Sequence, residues 1–152
     1  MASSVFIWPG LFSNDGATIT FPTTISVTGG VSSSSPTAGI GYATGAGGTV
    51  TQGSGSGKAT AVTLNTVCGT ITMDAANLLA ATVVSFTFNN TAIAANDMLL
   101  VTHVAAGSAG IYTIYSTGSS ANSRSIDVRN NAAGAEAAAI VLRFVVIKAV
   151  TA

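Results

Sequence analysis

The chain has 152 residues, of which five Lys or Arg and five Asp or Glu carry charge, so that charged residues make up 7% of the sequence and the formal net charge is zero. Soluble domains ordinarily carry about 25% charged residues. A surface with so few charges favours association with other subunits. The few cations are scattered among acids along the chain, which excludes a nucleic-acid partner bound through clustered Lys and Arg.

Residues 1–38 are predicted to form an extended N-terminal arm with a short β-hairpin. The pair Asp15-Gly16 stands between two short β-like runs and is a typical hairpin turn. Residues 29–36 are rich in Gly and Ser, which indicates a boundary. The sequence therefore predicts two parts, an arm over 1–38 and a β domain over 39–152.

The β domain begins with a Gly-rich stretch and continues with short β-like runs. Gly39–Lys58 has too few apolar residues for a core strand and is predicted to be an extended surface segment. Val84–Phe88 and Arg124–Arg129 alternate apolar and polar residues, as half-buried strands do. Met98–Val104 is apolar at both alternating sets of positions, which predicts a strand covered on both faces. Ile140–Val150 is predicted to be a long strand.

Helical patterns are almost absent from the chain. Only Asp74–Ala80, with Asp74 as its cap, and Thr91–Asp97 resemble helical turns. Seven or more strands at a spacing of about ten residues indicate an all-β fold. We therefore predict an antiparallel β-sandwich, jelly-roll-like in its topology, with the N-terminal arm attached to it.

The chain has too few Cys and His residues for the usual metal sites. Cys68 and His103 are the only cysteine and histidine of the chain, which excludes a multi-Cys or multi-His metal site. We expect Cys68 to be a small buried apolar residue and His103 to be a structural or subunit-contact residue. No metal, no cofactor and no catalytic residue is predicted.

Membrane insertion and secretion are not indicated. The uncharged stretch from Ala75 to Asn96 contains too many Asn, Ser and Thr residues for a spanning helix. The first residues lack the basic region of a secretory signal. We expect no membrane partner, and synthesis in the cytoplasm.

Motif-like strings in the chain lack the context that their chemistry requires. Gly57-Lys58 resembles the end of a phosphate-binding loop, but Gln52 and Ala59 occupy positions that need Gly and Ser or Thr. A glycosidase needs two facing carboxylates, and the neighbours of each acid indicate turns or ion pairs instead. The acidic pairs open to that interpretation are Asp74 with Asp97 and Asp127 with Glu136.

Six strings follow one another along residues 39–152: Gly39-Ile-Gly-Tyr-Ala-Thr-Gly-Ala-Gly-Gly-Thr-Val-Thr-Gln, Ala61-Val-Thr-Leu-Asn, Cys68-Gly-Thr-Ile-Thr-Met, Val84-Ser-Phe-Thr-Phe-Asn-Asn, Ile126-Asp-Val-Arg-Asn-Asn and Phe144-Val-Val-Ile-Lys-Ala. In this order they resemble a β-rich module of tailed-bacteriophage virion proteins, found in capsid decoration (cement) proteins, head fibres and tail fibres. The resemblance implies a structural protein of the virion without enzymatic activity. Residues 1–38 lie outside it.

A short free-standing chain of this kind favours a capsid decoration protein on the outer capsid surface of the virion. It would bind capsomer junctions and stabilise the head through many weak contacts. The expected partners are the major capsid protein and copies of the chain itself, as a homotrimer. Apolar and aromatic residues of the arm are candidate capsid or partner contacts, unless they cap the arm's own sandwich: Val5, Phe6, Ile7, Trp8, Leu11 and Phe12.

Two other functions stay open from the sequence. A tail-fibre or spike receptor-binding module would contact a host-surface glycan through loops at Gly107–Gly110, Gly118–Ser123 and Asn130–Ala135. A polysaccharide-degrading enzyme would need turnover that disappears when an Asp is changed to Asn. Binding to host cells and turnover, respectively, distinguish these functions from decoration.

Overall fold

A computed structural model of the chain describes residues 29–31, 40–42 and 44–149. The chain divides into two units, Met1–Ile40 and Gly41–Ala152, and all the strands described below belong to the second unit. The predicted arm, its hairpin at Asp15-Gly16 and the end of the arm at residue 38 lie outside the described residues and stay predictions.

Eight strands form two four-stranded sheets. They are β1 (Gly47–Thr51), β2 (Val62–Thr63), β3 (Cys68–Thr72), β4 (Val83–Asn89), β5 (Met98–Ala105), β6 (Tyr112–Thr117), β7 (Ser123–Asn130) and β8 (Val141–Ile147). The first sheet has the order β1-β3-β8-β5 and the second sheet the order β2-β4-β7-β6. The prediction of an all-β sandwich is confirmed, and its jelly-roll topology stays a prediction.

The sheets are mixed rather than purely antiparallel. β1 runs parallel to β3 and β2 runs parallel to β4, whereas the other paired strands are antiparallel. The first four strands alternate between the sheets and reverse direction at each crossing, so strands two apart in sequence run the same way. We call the end at which β3 begins and β8 ends the lower end of the sandwich, and the opposite end the upper end.

Alternation of side chains along the strands places the core between the two sheets. On β4, Phe86 and Phe88 are buried, while Ser85 and Thr87 are exposed, as the period of two requires. The rings of Phe88 and Phe144 pack with centroids 4.8 Å apart across the sandwich. The other buried apolar residues of β3, β5, β7 and β8 are Ile71, Leu99, Val101, Ile126, Val128, Leu142 and Val146.

The Gly-rich stretch contains an edge strand that the sequence pattern did not predict. β1 pairs with β3 in register from Gly47 opposite Cys68 to Thr51 opposite Thr72. Glycine allows this close approach, because a Cβ added to Gly69 would lie 2.4 Å from the carbonyl oxygen of Gly48. An edge strand also buries less side-chain surface than a central strand, so it needs few apolar residues.

The two predicted helical turns are not helices. Asp74–Ala80 has no regular structure apart from an isolated β-bridge at Leu78 and a turn at Ala80. Thr91–Asp97 forms hydrogen-bonded turns within the loop before β5. The carboxylate of Asp74 accepts a hydrogen bond from Ala76 N at 2.8 Å, as a helix cap would, but its other oxygen accepts from Gly55 N at 2.7 Å. The described residues include no helix with the length and apolar character that a membrane crossing requires.

Candidate interaction surface

Most of the charged residues that the structure describes are buried. All charged residues except Asp15 belong to the described part, and five of these nine are buried. The buried ones are Lys58, Asp74, Asp97, Arg124 and Asp127. The surface of the second unit is therefore even poorer in charge than the composition indicates.

Lys58 anchors the Gly-rich loop between β1 and β2 at the upper end. Its Nζ donates hydrogen bonds to the carbonyl oxygens of Asp74 and, at 2.6 Å, of Ala138. Gln52 Nε2 donates to the carbonyl oxygen of Lys58 at 2.9 Å. Burial lowers the pKa of Lys58, and the Asp74 carboxylate opposes that shift. The string Gly57-Lys58 thus directs its ammonium group to internal carbonyls rather than to a phosphate.

Arg124 and Asp97 tie the loops together at the lower end. The Arg124 guanidinium donates to the carbonyl oxygens of Ser120, Ser123, Ala94, Ala95 and Asp97. The Asp97 carboxylate accepts from Lys148 Nζ and, at 2.7 Å, from Ala94 N. These hydrogen bonds, led by the one from Lys148, lower the pKa of Asp97 to about 2.

The structure does not bring the candidate acidic pairs together. Asp74 lies at the upper end, after β3, and Asp97 at the lower end, before β5. Asp127 lies on the outer face of the second sheet, where its carboxylate accepts from the hydroxyl groups of Ser85 and Thr117. Glu136 forms an isolated antiparallel β-bridge with Leu78 through its main chain, at the upper end. No group of three or more His, Cys, Asp or Glu residues among the described ones could hold a metal ion.

An apolar groove of about 360 Å³ crosses the outer face of the first sheet. It lies over β8, between β3 and β5, and strand register builds it in two rows. One row is Cys68, Val145 and Leu100, and the other is Thr70, Arg143 and Thr102. We call these six residues the groove.

Exposed apolar side chains extend the groove toward the lower end. Leu100 is 60% exposed, Met98 is 64% exposed and Ile147, which pairs with Met98, is 47% exposed. On β5 only Leu99 and Val101 are buried. The prediction that this strand is covered on both faces is therefore wrong for the single chain, because its outer face carries large apolar residues in contact with solvent.

Arg143 stands exposed in the groove without a partner in the described part of the chain. The ion pair that the described residues make joins Lys148 to Asp97, at the lower end. Arg143 is flanked by Thr70 and Thr102, which carry no charge. The groove therefore combines an apolar floor with one cation that no described residue pairs.

Cys68 and His103 have structural surroundings. Cys68 is a free, half-buried thiol at the start of β3, so it lies at the groove rather than in the core where we expected it. His103 Nε2 lies 2.9 Å from the carbonyl oxygen of Ala105 and 2.6 Å from that of Ala106, to which it donates. Its ring packs edge-on against Tyr112 at a centroid distance of 5.1 Å. These contacts fit a structural histidine.

The three loops considered for glycan binding lie at different ends of the sandwich. Gly107–Gly110 and Asn130–Ala135 are at the upper end, where Asn131 N donates to Ile111 O at 2.8 Å. Gly118–Ser123 is at the lower end. The structure places the first two loops at one end and the third at the opposite end.

The predicted contact residues of the arm lie outside the described residues: Val5, Phe6, Ile7, Trp8, Leu11 and Phe12. The groove residues Leu100 and Arg143 were not predicted from the sequence. The signal for Leu100 was the run Met98–Val104, whose apolar residues at both alternating sets of positions indicate a second covered face. No pattern in the sequence pointed to Arg143. A scan against protein-family models found no match to the chain, and searches of curated proteins and of solved structures found none either.

Proposed function

We propose that the chain is a structural protein of a bacteriophage virion, a capsid decoration (cement) protein that binds capsomer junctions and stabilises the head. The observation that supports an assembly role is the outer face of the first sheet, where large apolar residues are exposed. In addition, five of the nine charged residues that the structure describes are buried. Exposed apolar patches of this kind mark interaction sites. The phage assignment is supported by the resemblance carried by residues 39–152.

The proposed mechanism is binding without chemical turnover and without a cofactor. Each copy contributes weak contacts to the major capsid protein and to other copies, arranged as a homotrimer on the outer capsid surface. Repetition over a lattice multiplies such contacts, and binding to the assembled state stabilises it. The apolar residues of the arm, Val5–Trp8 with Leu11 and Phe12, contribute partner contacts.

The copy number of the chain in purified virions tests this proposal. Quantitative mass spectrometry against the major capsid protein should give a ratio near one or a simple fraction such as one third, because a decoration protein occupies equivalent lattice positions. Heads treated to remove the chain serve as the control and should break at lower temperature. A handful of copies per virion would contradict decoration.

A tail-fibre or spike receptor-binding module is the second candidate. The observation that favours it is the position of two loops, Gly107–Gly110 and Asn130–Ala135, at the same end of the sandwich. The hydrogen bond from Asn131 N to the carbonyl oxygen of Ile111, the residue after the first loop, links the segments that carry them. The purified chain would then bind host cells through a surface glycan. Binding to host cells but not to capsids would support this function over decoration.

A further inference from the structure

The groove of one copy is a poor partner for the same groove of a second copy. A dyad-related pairing of two copies, centred on the groove, would bring two Arg143 guanidinium groups face to face. Like charges brought together in an interface without counter-ions cost free energy and disfavour that pairing. The occupant must therefore offer large apolar side chains together with a carboxylate for Arg143.

The acidic residues of the described part do not fit as the partner of Arg143. Asp74, Asp97 and Asp127 are buried and accept hydrogen bonds within the fold. Glu136 lies in the bridge to Leu78, within the stretch 132–139 whose other residues are Ala and Gly, so its segment lacks the large apolar side chains that the groove requires. The remaining acid of the chain is Asp15.

The sequence around Asp15 matches the chemistry of the groove. The eight residues from Val5 to Phe12 include six large apolar ones, three of them aromatic, and Asp15 follows three residues later. Aromatic side chains are favoured anchors in apolar interface pockets. A groove that combines Arg143 with an apolar floor favours a segment that carries large apolar side chains and a carboxylate.

The chain enters the second unit at the rim of the groove. The Tyr42 hydroxyl donates to the carbonyl oxygen of Val146, which lies between the groove residue Val145 and the exposed Ile147. The roughly 25 residues between Asp15 and Tyr42 could span up to about 85 Å when extended. That reach is enough to bring the N-terminal segment of one copy to the groove of an adjacent copy.

We propose that the groove of one copy binds the segment Val5–Asp15 of a second copy. Apolar side chains of the segment pack against Cys68, Leu100 and Val145, and the Asp15 carboxylate pairs with Arg143. The contact is heterologous, so three copies can close it into a ring. The inference deepens the proposed function by naming the partner of the N-terminal apolar residues, and it rests on that function for the presence of several copies at one site.

Cys68 allows a direct test by disulfide trapping in the full-length protein. The variant Phe12→Cys/Cys68→Ser is mixed with the wild-type chain, which keeps its thiol at the groove, and mild oxidation should produce a covalent heterodimer. Ser54→Cys/Cys68→Ser, with its thiol on the upper loop, is the matched control and should not cross-link. No heterodimer above the control level would overturn the proposal, and so would an exclusively intramolecular disulfide in Phe12→Cys with Cys68 retained.

Charge reversal gives an independent test. Arg143→Glu and Asp15→Lys should each weaken self-association by about tenfold, and the double variant Arg143→Glu/Asp15→Lys should restore it. Sedimentation equilibrium measures the dissociation constants, and Arg129→Glu on the second sheet is the control for a change of exposed charge. Unchanged self-association in both single variants, or no recovery in the double variant, would overturn the proposal.

Both tests use purified protein, so their failure is distinct from failure of the proposed function. Cross-linking together with a negligible copy number in virions would remove the decoration role and leave the contact between copies in place. A lattice-like copy number without cross-linking or charge rescue would retain decoration and remove this contact.

Discussion

Buried cations hold the loops of the sandwich by donating to main-chain carbonyl groups. Lys58 and Arg124 each gather carbonyl oxygens from separate loops, Lys58 at the upper end and Arg124 at the lower end. A buried ammonium or guanidinium is tolerated only when such acceptors replace its water shell. The charged groups of these two residues therefore fix the positions of loops and are not available to a binding surface.

The change Lys58→Met tests this role. It should destabilise the protein by about 2–3 kcal/mol, because the carbonyl oxygens of Asp74 and Ala138 lose their donor in a buried setting. Urea unfolding followed by fluorescence or circular dichroism measures the difference. Arg129→Met, at an exposed position, is the control and should change stability by no more than about 0.5 kcal/mol. Equal stability of the two variants would contradict the anchoring role.

Asp97 makes stability depend on acid pH. Its pKa in the folded chain is about 2, below the ordinary 3.8, so the folded state favours the ionised carboxylate. This contribution is present above about pH 4 and is lost as the pH falls through about 2. In Asp97→Asn the corresponding loss should be missing, so the difference in unfolding free energy from the wild type should shrink between pH 4 and pH 2. A difference that stays constant over this range would contradict the assignment.

At the scale of elements, the parallel pairing of β1 with β3 depends on glycine. Gly69 faces the carbonyl oxygen of Gly48 at a distance that excludes a Cβ, and the Phe144 ring lies 3.1 Å from the same position. The neighbouring atoms belong to a main chain and a packed ring, so neither can move cheaply. The pairing of the Gly-rich edge strand is therefore a property of these positions and not of apolar content.

The change Gly69→Ala tests that dependence. It should destabilise the protein by about 1–3 kcal/mol, because the added methyl group forces β1 away from β3. Thermal or urea unfolding measures the effect. Gly134→Ala, where an added Cβ meets no atom within 4 Å, is the matched control and should be close to neutral. Equal effects in the two variants would contradict the close approach of the strands.

For the whole molecule, the distribution of charge and apolar surface favours association with other protein subunits. One sheet exposes Met98, Leu100 and Ile147, while most charged residues of the described part are buried. In a monomer, such a face would promote non-specific association. A defined partner for this face, as proposed for the second copy, converts the same surface into a specific contact.

Removal of residues 1–12 tests the assembly role at this scale. The truncated chain should keep the β-sheet circular dichroism and the cooperative unfolding of the full protein, because the core of the sandwich is made by residues of the second unit. It should lose binding to its particle, measured by co-sedimentation with particles stripped of the chain. Unimpaired particle binding by the truncated protein would contradict the contact role of Val5–Phe12.

The sequence by itself predicted the fold class and much of the core. Alternation of apolar and polar residues is a local property of a strand, so Phe86, Phe88, Ile126 and Val128 could be assigned to a buried face without knowledge of their partners. The scarcity of charge likewise predicted an associating protein. The Gly-rich edge strand escaped prediction, because its pairing with β3 depends on close approach of main chains and not on side-chain pattern.

Only the tertiary structure decided which apolar residues are left exposed and where the charges lie. Cys68, Leu100 and Val145 come from three strands distant in sequence, and their meeting depends on strand register. The burial of Lys58 depends on carbonyl groups supplied by residues far along the chain. Register and desolvation arise from contacts between distant segments, so no local pattern in the sequence contains them. The groove, with an Arg143 that no described residue pairs, is a product of the assembled sheets.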